Sequence, residues 1–186
     1  MAKIFVGGSI SIKDLDPKVC MRIDNIAASN HTVIVGDSDG ADSAIQEYLL
    51  EKGASHTVIY CSGDTPRNNI GWWPVNRVQV KHAAPSSRAF FRAKDVEMAK
   101  VADFGVVILD AKSTGTLRNV IELLRRKKKS VVFVRDAKKF QTVGDVTQFE
   151  SLLKFMSEPA LRNAKQELRL RRGINELRQN QFEILY

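Results

Sequence analysis

A chain of 186 residues, 44% hydrophobic and 27% charged, is long enough to bury one core and too apolar for a disordered chain. The glycine and proline content excludes collagen-like and mucin-like chains, and two cysteines, Cys20 and Cys61, are too few for a disulfide framework. The net charge of +8 favours an anionic partner, whether nucleotide, nucleic acid or acidic lipid headgroups, although a solvated basic surface explains the same sign.

The predicted elements alternate. A strand over Lys3–Gly7 is followed by a helix from Asp16 and Pro17 to about Ala28, a strand over Thr32–Gly36 and a helix from Ala41 to about Glu51. A strand over Thr57–Tyr60 leads into a long Gly-, Pro- and Asn-rich loop, Ser62–Pro74. Its Arg67, Asn68, Asn69, Trp72 and Trp73 are ligand candidates, and the competing reading has both tryptophans plugging an apolar gap beneath it. Then come a strand over Arg77–Val80, a helix from about Ser87 to Val101, a strand over Gly105–Leu109, a helix from about Thr116 to Arg126 and a strand over Ser130–Val134. The strands are β-branched and continuously apolar, as strands covered on both faces must be, so the pattern predicts a mostly parallel α/β sheet with helices on both faces. Two helices close the chain, Asp145 to about Met156 and Pro159 to about Gln181. The second is polar, with a thin seam fitted to packing on the domain or on a second subunit. We therefore expect a domain over 1–140 and a C-terminal helical extension over 141–186.

No stretch approaches the roughly 18 apolar residues of a membrane span, and the opening Met-Ala-Lys-Ile-Phe-Val-Gly-Gly does not read as a signal peptide. A cytoplasmic protein with no membrane partner is the expectation. No Cys or His spacing suggests zinc. Asp37, Asp39 and Asp42 lie close together, yet they lack the terminal glutamate of a calcium loop and run straight into a helix, where a cap or first-turn acid explains them; we expect no metal and no cofactor.

In a parallel sheet, ligands bind outside the carboxyl ends of the strands. Gly7-Gly8-Ser9, Gly36-Asp-Ser-Asp-Gly-Ala-Asp42 and Ser113-Thr-Gly-Thr116 all fall at that edge, where glycines and hydroxyls can cradle a phosphate or ribose. Lys94 and Asp95, with Arg88 and Arg92 nearby, could reach the same ligand or belong to an ordinary amphipathic helix. The run Arg125–Lys129 complements a helix C-terminus.

Val35-Gly-Asp-Ser-Asp-Gly-Ala-Asp42, Phe91–Met98 and Ala102–Thr116 together resemble, in order, motifs of the SLOG superfamily over about residues 3–136. This Rossmann-like group includes lonely-guy phosphoribohydrolases and DNA-uptake processing proteins, and nucleoside 2-deoxyribosyltransferases look similar. The resemblance implies a nucleotide-derived ligand at Gly7, Gly8, Gly36, Gly40, Ser113, Gly115 and Thr116, with Asp42 matching a recurrent acid. The group's enzymes cleave or exchange an N-glycosidic bond, which needs a carboxylate near the anomeric carbon. Here the position after Gly115-Thr116 departs from the pattern: Arg118 and Asn119 stand where the glutamate is expected, and Glu122 is the next acid. Arg118 suits anion binding.

The leading expectation is thus a sensor, or a diverged N-glycosidase, that binds a nucleotide-derived small molecule, with a homo-oligomer formed through the C-terminal helices. Its ligand residues would add Asp37, Asp39, Lys94, Asp95, Arg118 and Asn119 to the turns above. The alternatives are an active N-glycosidase or 2-deoxyribosyltransferase using Asp37, Asp39, Asp42 or Glu122, with Asp42 and Glu122 as the leading catalytic candidates, and a basic nucleic-acid-binding module.

Overall fold

The computed structural model describes residues 1–85, 87–167 and 174. Among them, seven strands form one sheet: β1 (Lys3–Gly8), β2 (Thr32–Gly36), β3 (Thr57–Ser62), β4 (Val75–Val78), β5 (Phe104–Leu109), β6 (Ser130–Val134) and β7 (Lys139–Val143). Their order is β4-β3-β2-β1-β5-β6-β7, parallel except for β7. Among the described residues, six helices, α1 (Pro17–Ala28), α2 (Ala41–Glu51), α3 (Arg88–Val101), α4 (Thr114–Arg125), α5 (Val146–Leu153) and α6 (Glu158–Glu167), cover it.

Strand periodicity explains the two cores. Val6, Val35 and Ile108 point to one face, where they meet Val19 and Ile23 of α1 and Ile45 and Leu49 of α2. Their neighbours Phe5, Ile34, Val107 and Leu109 point to the other, against Met98 of α3, Leu117 and Val120 of α4 and Phe149 of α5. Hence the apolar runs of the five inner strands, which bury both faces, while the edge strands β4 and β7 stay partly exposed. Residues Ala160 and Ala164 of α6 join the second core, and Ile174 packs against it. The rest of the helix expected to reach Gln181, with its arginines, lies outside the described residues.

Local chemistry sets the helix starts. Asp16 accepts from the Lys18 amide at 2.9 Å with Pro17 in the first turn, and Ser87 caps α3 at the Phe90 amide, 3.1 Å away. Ser113 Oγ accepts from the Thr116 amide at 3.2 Å, so α4 opens at Thr114, two residues before the expected start. Replacing Ser113 by alanine should cost about 1 kcal/mol, read as a fall of a few degrees in calorimetric Tm.

Three expectations change. β4 lies at Val75–Val78 rather than Arg77–Val80 because its partner dictates the register, Ile59 opposite Val75 through Ser62 opposite Val78. β7 was not expected, since Lys139-Phe-Gln-Thr-Val143 carries no apolar run. A short turn after β6 nevertheless forces antiparallel return along the sheet edge, where the Phe140 ring meets Phe133 edge-on at 5.1 Å. The boundary drawn at 140 falls inside this strand. Finally, only one tryptophan fills the gap beneath the long loop. Trp73 is 9% exposed and donates Nε1–H to the Ala54 carbonyl at 2.9 Å, whereas Trp72 is 91% exposed with φ at +55°. No helix among the described residues is long and apolar enough to cross a membrane.

Candidate functional site

The chain reverses its direction of travel across the sheet between β1 and β5, and a crevice of about 520 Å³ opens there at the carboxyl ends of the strands. Gly8 at the end of β1 and Ser9, Ile10 and Ser11 after it line the crevice beside Asp110, Lys112 and Ser113 through Thr116, which follow the neighbouring β5. Phe91, Arg92, Lys94 and Asp95 of α3 line it, with Asp42 from α2 and Arg67 from the long loop.

Its inner end is a charged cluster. The Lys94 side chain is only 2% exposed, and its Nζ lies 2.8 Å from Asp95 Oδ1, 3.2 Å from Asp42 Oδ2 and 3.9 Å from Asp37 Oδ1. Burial opposes the ammonium charge, but Asp42, Asp95 and Asp37 outweigh it and hold Lys94 protonated well above the usual lysine range. Burial, with Asp95 alongside, pushes the Asp42 carboxyl up despite the pull of Lys94. For Asp37 burial acts in the same direction but loses. The Arg67 amide and guanidinium donate to its oxygens at 2.8–3.3 Å and, with Lys94, hold the carboxyl below its usual range.

Glycine makes this cluster possible. A Cβ on Gly36 would sit 2.2 Å from both Asp42 Oδ2 and Lys94 Nζ, so the ion pair occupies the space of the missing side chain. The long loop is then tied to the same turn. Asn68 donates to the Asp37 carbonyl at 2.9 Å and to Asp39 at 3.0 Å, while the Arg67 guanidinium lies 4.5 Å over the Phe91 ring.

On the β5 side, Asp110 accepts from Ser11 Oγ and, at 2.7 Å, from the Lys112 amide. Burial would raise its carboxyl, yet these hydrogen bonds hold it below the usual range. Ser113 and Thr116 hydroxyls lie 2.7 Å apart at the start of α4, and a Cβ on Gly115 would have nothing within 4 Å.

The structure therefore brings Gly8, Asp42, Lys94, Asp95, Ser113, Gly115, Thr116, Arg118 and Asn119 to the crevice wall. Gly7 and Gly36 lie beneath it; Asp37 and Asp39 serve the long loop. Gly40 is the residue before α2, with φ at +78°. Glu122 is not brought in. It sits two turns along α4 from Ser113, and its carboxylate pairs with Arg126 and with Arg125 at 3.4 Å. Asp110 and Ser11 are crevice residues that the sequence did not single out, because a lone acid at a strand end carries no signal until the loop after β1 folds onto it. Among the described residues no cluster of three metal-capable side chains occurs.

No family model matches the chain, and no curated protein matches its sequence. Among solved structures it is similar to DNA processing protein A from Helicobacter pylori, described for its single-stranded DNA binding mode, at 19% identity and a TM-score of 0.52. The two share a Rossmann-like fold. The likeness covers 72% of this chain and 64% of that one, so the chain spans less than two thirds of that protein's length.

Proposed function

We propose that the crevice binds one nucleotide unit, with the phosphate toward Lys112 and the first turn of α4 and the sugar toward Asp42 and Asp95. The observation that carries this reading is the crevice itself: about 520 Å³, within the range of small-molecule sites, with carboxylates at its inner end and cationic side chains around its walls. Arg88, Arg92, Lys112 and Arg118 provide charge for a phosphate, and the carboxylates accept hydrogen bonds from sugar hydroxyls.

Gly115→Val tests it. Valine is the better helix former, so the fold should hold within about 1 kcal/mol, while the new side chain projects into space that is open in the structure. Titration calorimetry with nucleoside monophosphates should show affinity falling at least tenfold, roughly 1.4 kcal/mol. Wild-type affinity in the variant would remove the ligand from this wall.

The second reading, a basic module for single-stranded nucleic acid, is favoured by the likeness to DNA processing protein A and by the +8 charge. In it the nucleotide in the crevice belongs to a longer strand, and binding weakens steeply with salt. An N-glycosidase or deoxyribosyltransferase would have Asp42, Asp95 and Asp110 as its crevice carboxylates, with release of free base from a nucleoside panel as its signature.

A further inference from the structure

Outside the crevice, the same sheet edge continues as a cationic surface. The β6–β7 turn lies at the carboxyl end of the sheet, since Val134 pairs with Leu109 and the Arg135 amide donates to the Leu109 carbonyl at 2.9 Å. That contact sets Arg135 beside Asp110, the residue after Leu109, which lines the crevice together with Lys112. The turn is joined in turn to the start of α1, where Lys18 Nζ donates to the Lys138 carbonyl at 2.7 Å. Lys13, Lys18, Lys112, Arg135 and Lys138 are all exposed, whereas Lys139 turns its Nζ over the Phe155 ring, 4.7 Å away.

The acids of this region only partly offset them. Asp16 caps α1 and Asp110 is taken up by Ser11 and the Lys112 amide, which leaves Asp14 and Asp136 as the exposed acids among these cations. Between the crevice and α1 stands Ile10, a crevice-lining residue that is 74% exposed. Its backbone is held in place, because Gly40 packs so closely that a Cβ there would lie 2.2 Å from the Ile10 carbonyl oxygen. An exposed apolar side chain on a closely packed backbone, beside a line of cations, presents two chemistries together: charge for a phosphodiester backbone and an apolar surface for an unstacked base.

We propose that this surface, from Lys112 across Ile10 to the β6–β7 turn and the start of α1, carries single-stranded nucleic acid that leaves the crevice. The proposal rests on the crevice holding one nucleotide of that strand. Three strand spacings separate β1 from β7, roughly 14 Å at about 4.8 Å each, so the surface takes several nucleotides beyond the one in the crevice. A duplex cannot use it in the same way, since its bases are stacked and turned inward.

The experiment is fluorescence anisotropy with labelled oligothymidylates of two, five, ten and fifteen nucleotides, alongside thymidine monophosphate titrated by calorimetry. Wild-type affinity should rise with length to a plateau by about ten nucleotides. In the Lys18→Glu/Lys138→Glu double variant, ten-mer affinity should fall at least tenfold and mononucleotide affinity stay within twofold. The slope of log K against log salt should flatten by about 1.4 for two lost phosphate contacts. The neutral pair Lys18→Gln/Lys138→Gln repeats the measurement should the charge reversal not fold. Length-independent affinity, an unchanged ten-mer, or equal binding of a ten-base-pair duplex would overturn the proposal while leaving the crevice reading intact. Loss of mononucleotide binding with length- and charge-dependent oligonucleotide binding would instead overturn the crevice reading and support the surface.

Discussion

Replacing Lys94 by methionine should destabilise the protein by about 3–5 kcal/mol and lower Tm by roughly 10 °C or more. Methionine keeps most of the volume, so the loss isolates charge. Wild type gathers Asp37, Asp42 and Asp95 around one buried ammonium, with Arg67 satisfying Asp37 from the other side. Without the ammonium, the buried Asp42 carboxyl beside Asp95 must either bear an uncompensated charge or take up a proton, and at neutral pH either costs stability.

The pH dependence gives the mechanism a sign. The lysine's folded pKa is raised, so its contribution is intact below the unfolded value of 10.5 and lost only as pH climbs through the folded one. Asp37 is lowered, so its contribution is present above 3.8 and lost as pH falls through its folded value. Asp42 is raised, so its ionisation costs stability as pH rises above 3.8. In Lys94→Met that last cost is no longer offset. Urea denaturation at about pH 7.5 and about pH 4.5 should therefore show the larger deficit at the higher pH, because protonated Asp42 needs no partner. Equal deficits would mean that packing, rather than charge, is what Lys94 supplies.

Gly40→Val should cost about 3–5 kcal/mol. Residue 40 has φ at +78° and ψ at −125°, a conformation that side chains with a Cβ rarely adopt, and its Cβ would collide with the Ile10 backbone. The urea midpoint should fall with an unchanged m-value; a deficit under about 1 kcal/mol would show that the Ile10 loop yields. The contrast with Gly115 is instructive. Both glycines belong to turns expected to cradle a ligand, but only Gly115 faces open space, so only its substitution reads binding without first reading the fold.

The motif glycines thus divide in a way that spacing alone does not reveal. Gly36 makes room for the Asp42–Lys94 pair, Gly40 supplies a backbone angle, and Gly115 leaves space at the crevice wall. The two candidate acids divide as well. Asp42 and Glu122 are both helix acids, yet one meets a buried lysine 52 residues away and the other turns to arginines at the end of its own helix. Arg67 was visible only as a member of a suspicious loop; its bonds to Asp37, 30 residues distant, explain why that loop is ordered against the crevice.

By itself the sequence determined the α/β alternation, the mostly parallel sheet and the edge at which the crevice opens. Those follow from patterns within a few residues: β-branched apolar runs, the cap at Asp16 with Pro17 behind it, and glycines between strand and helix. Tertiary structure alone decided the register of β4, the existence of β7, the burial of Lys94 and the outward turn of Trp72. Each of these depends on a partner far along the chain: β3 for β4, Phe133 for Phe140, three aspartates for one lysine, and Ala54 for the tryptophan that did turn inward. A local pattern carries the propensity of a segment, but the free energy of a buried charge or an edge strand is set by whatever the fold brings against it.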